Sequence, residues 1–81
     1  MVQLVITYNG TPEWPSEERF EERIEKLLRK NYNGSGYGFG GRDFTFSYRS
    51  RDNALKAAKT VRAYIKKERV ARYRNAAVEV C

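Results

Sequence analysis

Five of the six glycines lie within eight residues, in the stretch GSGYGFGG at positions 34–41. Four of them occupy the even positions from 34 to 40. Side chains of a strand alternate between its two faces, so residues with a period of two share one face. The stretch therefore predicts a strand with bare glycine backbone on one face and with Ser35, Tyr37 and Phe39 on the other.

Gly40–Gly41 predicts a two-residue hairpin turn, because such turns need positive φ angles that glycine adopts at little cost. In the register that this turn sets, Phe39 faces Arg42 and Tyr37 faces Phe44. One face of the hairpin then carries aromatic rings that can close over a small core. These aromatic residues are Tyr37, Phe39, Phe44, Phe46 and Tyr48.

The opposite face of the predicted hairpin combines glycine backbone with small polar side chains. Its lack of bulk leaves room for a partner protein, a phosphate or a second copy of the chain to approach closely. We therefore treat it as a candidate close-approach face, made of Gly34, Gly36, Gly38, Thr45 and Ser47. Phosphate-binding glycine loops open a helix, whereas this stretch follows one and opens a strand, so a nucleotide-binding loop of the usual kind is not expected.

Two more segments alternate with a period of two and predict strands, VQLVITY at Val2–Tyr8 and NAAVEV near the end of the chain. In the second, Ala76, Val78 and Val80 are expected to face inward. Between the first strand and the first helix, the connector TPEWP holds two prolines, and we expect Trp14 to fold back as a lid.

Two segments carry apolar residues with helical spacing. The first helix is predicted from a cap at Ser16 to about Lys30, with an apolar stripe of Phe20, Ile24, Leu27 and Leu28. The second is predicted from a cap at Ser50 over residues 51–68, with a buried side of Ala54, Leu55, Ala58, Val61 and Ile65. Glutamates crowd the start of the first helix, where they complement the helix dipole.

The resulting order of elements, β-α-β-β-α-β, resembles the split β-α-β plan of ferredoxin-like domains. The resemblance covers residues 1–81 as one domain. It implies an α+β fold, a ferredoxin-like sandwich in which a four-stranded antiparallel sheet carries two helices on one face. Many unrelated functions occur on this fold, so the fold alone implies none of them.

The net charge of +6 is concentrated in one third of the chain. Residues 49–74 hold ten basic and only two acidic residues, a net charge of +8. On the second predicted helix, basic residues recur at spacings of three or four and form a stripe opposite the apolar side. The predicted anion- or partner-binding set comprises Lys56, Lys59, Arg62, Lys66 and Arg69, extended by Arg49, Arg51, Arg72 and Arg74. The alternative that this stripe only keeps the protein soluble stays open. Tyr64 and Tyr73 lie near the stripe, and two roles are open for them: stacking on bases or packing at the edge of the core.

Composition disfavours catalysis and metal binding. Histidine is absent, and with it the commonest general base and metal ligand. No paired carboxylates or nucleophile–base pair is recognisable, so we expect neither an enzyme nor a cofactor.

The single cysteine, Cys81, cannot form an internal disulfide, which is typical of a reducing compartment. With no leader and no long apolar run, we expect a cytoplasmic protein without membrane association.

The stretch GYGFGGRDFTFSYRSRDNALKAA resembles the third strand and second helix of an RNA recognition motif. In this alignment, Asp43 and Thr45 occupy the positions of that family's base-stacking aromatic residues. A shift of the register by one residue would instead bring Tyr37 and Phe39 to the open face. By its size and its lack of catalytic groups, the chain also resembles small phage-encoded inhibitors of bacterial defence systems, anti-CRISPR proteins among them.

Two functions follow as expectations. The first is a non-enzymatic module that grips a polyanion, most simply nucleic acid, through the basic second helix and its flanking loops. The second is an inhibitor or adaptor that binds protein, either an acidic surface through the basic helix or a partner on the close-approach face. A homodimer is left open, since the predicted sheet has a bare edge strand without charge or proline.

Overall fold

The computed structural model describes residues 1–9, 15–38 and 41–81. Trp14, Phe39 and Gly40 lie outside the described residues, and so does the predicted lid. The elements are β1 (Val2–Tyr8), α1 (Pro15–Leu28), β2 (Gly34–Gly38), β3 (Gly41–Tyr48), α2 (Arg51–Ile65), α3 (Ala71–Arg74) and β4 (Ala77–Val80). The predicted order of strands and helices is confirmed, and the short helix α3 is an addition that the periodicity did not predict.

The four strands form one antiparallel sheet in the order β2-β3-β1-β4. This arrangement confirms the predicted α+β fold and is consistent with a ferredoxin-like sandwich. Strand β1 lies between β3 and β4, so the two outer strands are β2 and β4. The helices cover one face of the sheet, and no described element covers the other, which we call the open face.

The hairpin of β2 and β3 keeps the predicted faces but not the predicted register. Gly38 pairs with Gly41 and Tyr37 pairs with Arg42, so each β2 residue faces a β3 residue two positions earlier than expected. The two residues between the strands are therefore 39 and 40, and Gly41 belongs to β3 instead of to the turn. Because the displacement is two residues, Tyr37 remains on the helix-covered face with Phe44 and Phe46.

The core lies between the helices and the covered face of the sheet. Its largest fully buried side chains are Phe20, Phe44, Phe46, Leu4, Ile6, Ile24 and Val61. Three residues predicted to pack on the core are exposed: Leu27 at 41%, Leu55 at 45% and Tyr37 at 48%. Leu55 lies about 100° around the helix from Ala54, which turns it to the flank of α2. Ala57 is buried in its place, and its small side chain allows α2 to pack closely on the sheet.

A buried ion pair joins α1 to β3. The Arg42 guanidinium donates from Nε to Oε2 of Glu21 at 2.5 Å and from Nη2 to Oε1 at 2.8 Å. The Tyr8 hydroxyl donates to the same Oε2 at 2.5 Å. Glu21 is 4% exposed and Arg42 is 9% exposed. The hydrogen bonds to Glu21 raise the pKa of Arg42 above its ordinary value, so the pair stays ionised.

Both helix starts can be compared with the predicted caps. Ser50 caps α2 as predicted, since its hydroxyl accepts a hydrogen bond from the backbone N–H of Asn53 at 3.1 Å. Ser16 is not the cap of α1, because that helix already begins at Pro15. Proline is favoured at the first position of a helix, where its missing N–H has no intrahelical acceptor.

The first helix ends at Leu28, two residues before the predicted end, in a Schellman-type turn. The Lys30 N–H donates to the carbonyl of Glu25 at 3.1 Å, and the Arg29 N–H donates to that of Lys26 at 3.3 Å. Arg29 has a φ of 54°, in the left-handed region where glycine is usual. The turn therefore stores backbone strain at a non-glycine residue.

Replacing Arg29 with glycine should stabilise the protein by about 1 kcal/mol, because a Cβ in the left-handed region costs about 1–2 kcal/mol. In a domain of this size the gain corresponds to a rise in Tm of about 4–8 °C. The measurement is thermal unfolding followed by circular dichroism. Arg29→Ala is the matched control, because it removes the same charge and keeps the Cβ. An equal rise for both variants would assign the effect to charge and not to backbone strain.

Candidate polyanion-binding surface

The exposed side of α2 carries the central part of the predicted basic stripe. Lys56, Lys59 and Arg62 are all exposed, and they lie away from the buried alanines of the same helix. The Arg62 guanidinium donates from Nη2 to the carbonyl oxygen of Val78 in the outer strand β4 at 2.7 Å. This contact places the basic flank of α2 beside β4, at one edge of the sheet.

The stripe continues past the helix in a different geometry from the one predicted. Helix α2 ends at Ile65 and does not reach Glu68, because Lys67 and Glu68 donate backbone hydrogen bonds to residues three positions earlier and tighten the chain. Lys66 keeps helical φ and ψ angles and stays in line with Arg62. Arg69 lies beyond this turn, so the helical spacing assumed for it does not apply, although its side chain is exposed.

Two further arginines of the predicted set lie on α3. Arg74 donates from Nη1 to the carbonyl oxygens of Glu68 and Arg69, each at 3.4 Å, and so closes the turn after α2. The Arg72 guanidinium lies 4.6 Å from the centre of the Tyr73 ring and donates to the Tyr73 hydroxyl at 2.9 Å. The Arg74 side chain is thus held by the turn after α2, and the Arg72 side chain is held against Tyr73.

Arg49 and Arg51 flank the Ser50 cap at the opposite end of α2, and both are exposed. A helix of 15 residues is about 22 Å long. The predicted cations therefore form an elongated surface along α2 instead of one compact cluster. We call this set the basic surface: Arg49, Arg51, Lys56, Lys59, Arg62, Lys66, Arg69, Arg72 and Arg74.

Several acidic side chains near the basic surface are engaged elsewhere, whereas Asp52 is exposed in the first turn of α2, four residues before Lys56. Glu68, one of the two acids in this part of the chain, lies 3.6 Å from Arg23 of α1 and accepts a hydrogen bond from the Tyr64 hydroxyl at 2.6 Å. In α1, Glu21 binds Arg42, and Glu25 accepts the backbone N–H of Tyr32 at 3.1 Å. Among the α1 carboxylates whose side chains are described, Glu21, Glu22 and Glu25, none forms an ion pair with Lys56, Lys59 or Lys66.

Neither tyrosine near the stripe presents a free ring to a base. Tyr73 is 3% exposed and stacks on Phe20, with ring centres 4.3 Å apart and planes inclined by 7°. Tyr64 is half-buried and turned toward α1 by its bond to Glu68. Burial, followed by the hydrogen bond to Glu68, raises the pKa of Tyr64, so its hydroxyl stays neutral. Of the two roles left open for these residues, the structure supports packing.

The open face of the sheet contains the predicted close-approach residues. Gly34 pairs with Thr45, and Gly36 pairs with Asp43. A Cβ added at Gly34 would meet nothing within 4 Å, and one added at Gly36 would lie 3.8 Å from Oδ1 of Asp43. Crowding inside the protein therefore does not require glycine at these two positions. Gly38 continues the strand opposite Gly41.

Thr45 and Ser47 are tied to the loop before β2. The Asn33 N–H donates to the carbonyl of Thr45 at 2.9 Å, and the Asn33 amide Nδ2 donates to the Ser47 hydroxyl at 2.7 Å. The Lys30 ammonium also donates to the Ser47 carbonyl, and it lies 4.2 Å from the Tyr48 ring centre. Ser47 thus serves the local structure at one end of the open face.

The described part of the open face offers no ring for base stacking. Strand β1 presents Gln3, Val5 and Thr7 there, and β3 presents Asp43 between them and the glycines. The register shift that would turn Tyr37 outward is not observed, since Tyr37 pairs with Arg42 and its ring centre lies 4.7 Å from that guanidinium. Together with Glu79 of β4, Asp43 makes this face acidic, in contrast to the basic surface.

Other chemistry is sparse in the described residues. They contain no group of three Asp, Glu or Cys side chains arranged to hold a metal ion. None of their helices has the length and apolar character needed to span a bilayer. Comparison of the chain with family models, curated proteins and solved structures finds no match to any of them.

Proposed function

We propose that the protein is a non-enzymatic module that binds a polyanion, most simply nucleic acid, through the basic surface. The observation that carries the proposal is the charge arrangement along α2. Lys56, Lys59 and Lys66 are exposed, and no described carboxylate lies within ion-pair distance of them. A row of unneutralised cations on a rigid helix is suited to a row of phosphates.

Electrostatics gives the reason to expect a ligand. Like charges three or four residues apart destabilise a helix by a few tenths of a kcal/mol per pair. A domain of 81 residues has a stability of only about 4–12 kcal/mol. Binding a polyanion relieves this repulsion and releases the counterions condensed on the phosphates. The basic residues that repel one another in the free protein are thus stabilised by the phosphates in the complex.

The mode of binding follows from what the surface lacks. Contacts between basic side chains and phosphates position a protein on nucleic acid without reading its sequence. Tyr64 and Tyr73 are engaged in packing, and the described open face has no aromatic ring. We therefore propose recognition of the phosphate backbone with little dependence on base sequence, and not stacking on the sheet.

The test is a salt titration of binding to short labelled duplex DNA and single-stranded RNA by fluorescence anisotropy. For the unmodified protein, log K should fall linearly with log salt, with a slope of about −0.9 for each phosphate neutralised on duplex DNA. In the triple variant Lys56→Gln, Lys59→Gln, Lys66→Gln, this slope should become shallower by about 2–3. Affinity should drop about equally for unrelated sequences.

The matched control removes three exposed basic residues, two from α1 and one from the turn that ends it, as Arg19→Gln, Lys26→Gln and Arg29→Gln. It changes the net charge equally and leaves the basic surface intact. Equal weakening by both triple variants would show that only net charge matters and would overturn the proposed surface. So would the absence of any salt-sensitive binding at low ionic strength.

A second candidate function, an inhibitor or adaptor that binds protein, is favoured by the open face. No element of the described part of the chain covers this face, and at Gly34 the described atoms leave free space. If a partner approaches there, Gly34→Val should abolish nuclease-resistant binding to that partner and leave thermal stability unchanged. Sedimentation of the same variant would report whether the partner is a second copy of the chain. Loss of folding in Gly34→Val would contradict the observed free space.

A further inference from the structure

A small cavity lies at the end of the basic surface where α2, α3 and β4 meet. It has a volume of about 170 Å³ and is lined by Arg62, Ile65, Lys66, Arg74, Ala76 and Val78. A single water needs only about 10–15 Å³, so this cavity has room for a group of several heavy atoms. Its lining combines three cations with three apolar side chains and includes no acid.

The three cations reach the cavity from two elements, Arg62 and Lys66 from α2 and its C-terminal cap and Arg74 from α3. Arg62 comes from α2 and is anchored on the Val78 carbonyl, and Arg74 comes from α3 and is anchored on the carbonyls of Glu68 and Arg69. Each of these contacts occupies one nitrogen of a guanidinium that has five N–H donors, so further donors remain on both groups. Lys66 is exposed and adds a mobile ammonium at the rim.

The apolar side of the cavity indicates what accompanies the anion. Ile65 is 3% exposed and Val78 is 9% exposed, so the floor is part of the core and does not move out of the way. Small inorganic anions gain nothing from such a floor. A phosphate carried on a sugar or a base makes contact with the cations and the apolar floor together.

We propose that this cavity, which we call the end pocket, binds the phosphomonoester group at the terminus of a nucleic acid strand. A terminal phosphomonoester carries about −1.5 to −2 charges at neutral pH, whereas each internal phosphodiester carries one. Three converging cations match the more highly charged group. A recess at one end of an elongated basic surface also admits a strand end more readily than a continuous backbone. This inference rests on the proposed function and names the part of the ligand that the end pocket selects.

The experiment compares three probes that differ only at the end. These are a short single strand with a 5′-phosphate, the same strand with a 3′-phosphate and the same strand with hydroxyl ends, all measured by competition at one salt concentration. We expect one phosphorylated form to bind about tenfold more tightly than the hydroxyl form, the gain of one charge-assisted contact. A separate NMR titration with a nucleoside monophosphate tests the end pocket alone, because this ligand is too small to need the rest of the basic surface.

Two variants assign the effect to the end pocket. Lys66→Gln alters a side chain that supports no described backbone contact, and Arg74→Gln alters one that closes the turn after α2. Both should reduce the preference for the phosphorylated end to about twofold or less. Arg69→Gln is the matched control, since Arg69 is exposed on the same surface and does not line the end pocket. It should weaken all three strands equally and keep the preference.

The outcomes separate this inference from the proposed function. Equal binding of all three strands, with a normal salt slope, overturns the end pocket and leaves the basic surface standing. Binding of the nucleoside monophosphate with shifts at Ile65, Ala76 and Val78, but no salt-sensitive binding of any strand, supports the end pocket as a mononucleotide site and removes the proposed function. An unchanged preference in Lys66→Gln and Arg74→Gln also overturns the end pocket.

Discussion

Replacing Arg42 with methionine should lower the free energy of unfolding by about 3–5 kcal/mol, the usual cost of removing one partner of a buried ion pair. Glu21, which is 4% exposed, would keep only the Tyr8 hydroxyl as a described partner. The carboxylate must then remain charged in an apolar setting or take up a proton, and both are costly. The total free energy of unfolding of a domain of this size is about 4–12 kcal/mol. The variant is therefore expected to lose a large fraction of the stability of the protein.

The measurement is equilibrium unfolding in urea, with Arg19→Met as the control. Arg19 lies two residues before Glu21 on α1 and is exposed, so its replacement should change stability by less than about 0.5 kcal/mol. The triple variant Tyr8→Phe, Glu21→Leu, Arg42→Met should recover most of the loss, because it removes every buried polar group of the network at once. A loss below about 1 kcal/mol for Arg42→Met would show that the pair is open to water.

Sequence reasoning missed this network for a physical reason. Glu21 belongs to a run of glutamates at the start of α1, where the helix dipole gives a sufficient local explanation of every carboxylate. Its burial depends on α1 crossing the sheet above Arg42, a contact between residues 21 positions apart. Local periodicity carries no information about such a crossing. The one signal in the sequence was Arg42 itself, a charged residue at a strand position predicted to share the core-facing side with Phe44 and Phe46.

The hairpin shows a different limit. Glycine recurs at every second residue, so sliding β2 by two positions leaves each described side chain of the strand on its predicted face. The pattern therefore predicted the faces correctly and could not distinguish the registers that share them. The structure selects the register in which Gly38 pairs with Gly41, two residues away from the prediction.

For the basic surface, the helical part was predictable and the end pocket was not. The spacing of Lys56, Lys59 and Arg62 places them on one side of any helix that buries Ala54, Ala58 and Val61. The position of Arg74, by contrast, depends on α3, whose four residues are too few to show a period. It depends equally on Tyr73, which holds α3 by inserting into the core and so creates the recess beside β4.

Replacing Phe20 with alanine should destabilise the protein by about 3–5 kcal/mol, because a cavity would open among the three rings that contact it. Phe20 stacks on Tyr73 at 4.3 Å between ring centres and makes edge contacts with Tyr8 at 5.1 Å and Phe44 at 6.3 Å. It is 1% exposed and joins α1 to β1, β3 and α3. The measurement is again unfolding in urea, where the midpoint should fall without a large change in slope.

The milder variant Phe20→Leu should reveal a link between the core and binding. It preserves the fold at a cost of about 1–2 kcal/mol but loses the flat ring against which Tyr73 packs. Helix α3 then loses its anchor, and Arg74 no longer has a fixed position in the end pocket. We expect the preference for a phosphorylated strand end to fall while the salt slope of the whole basic surface is kept.

Tyr32→Leu is the matched control for this effect. Tyr32 is half-buried against Phe44 and Phe46, with ring centres 5.7 and 6.5 Å away, and it has no described ring contact with Tyr73. It should lower stability by a similar amount and leave the preference for the phosphorylated end intact. If both variants reduce that preference equally, general loosening of the core is responsible, and the position of α3 is not what shapes the end pocket. A loss confined to Phe20→Leu would show that one aromatic stack in the core sets the position of a charge on the surface.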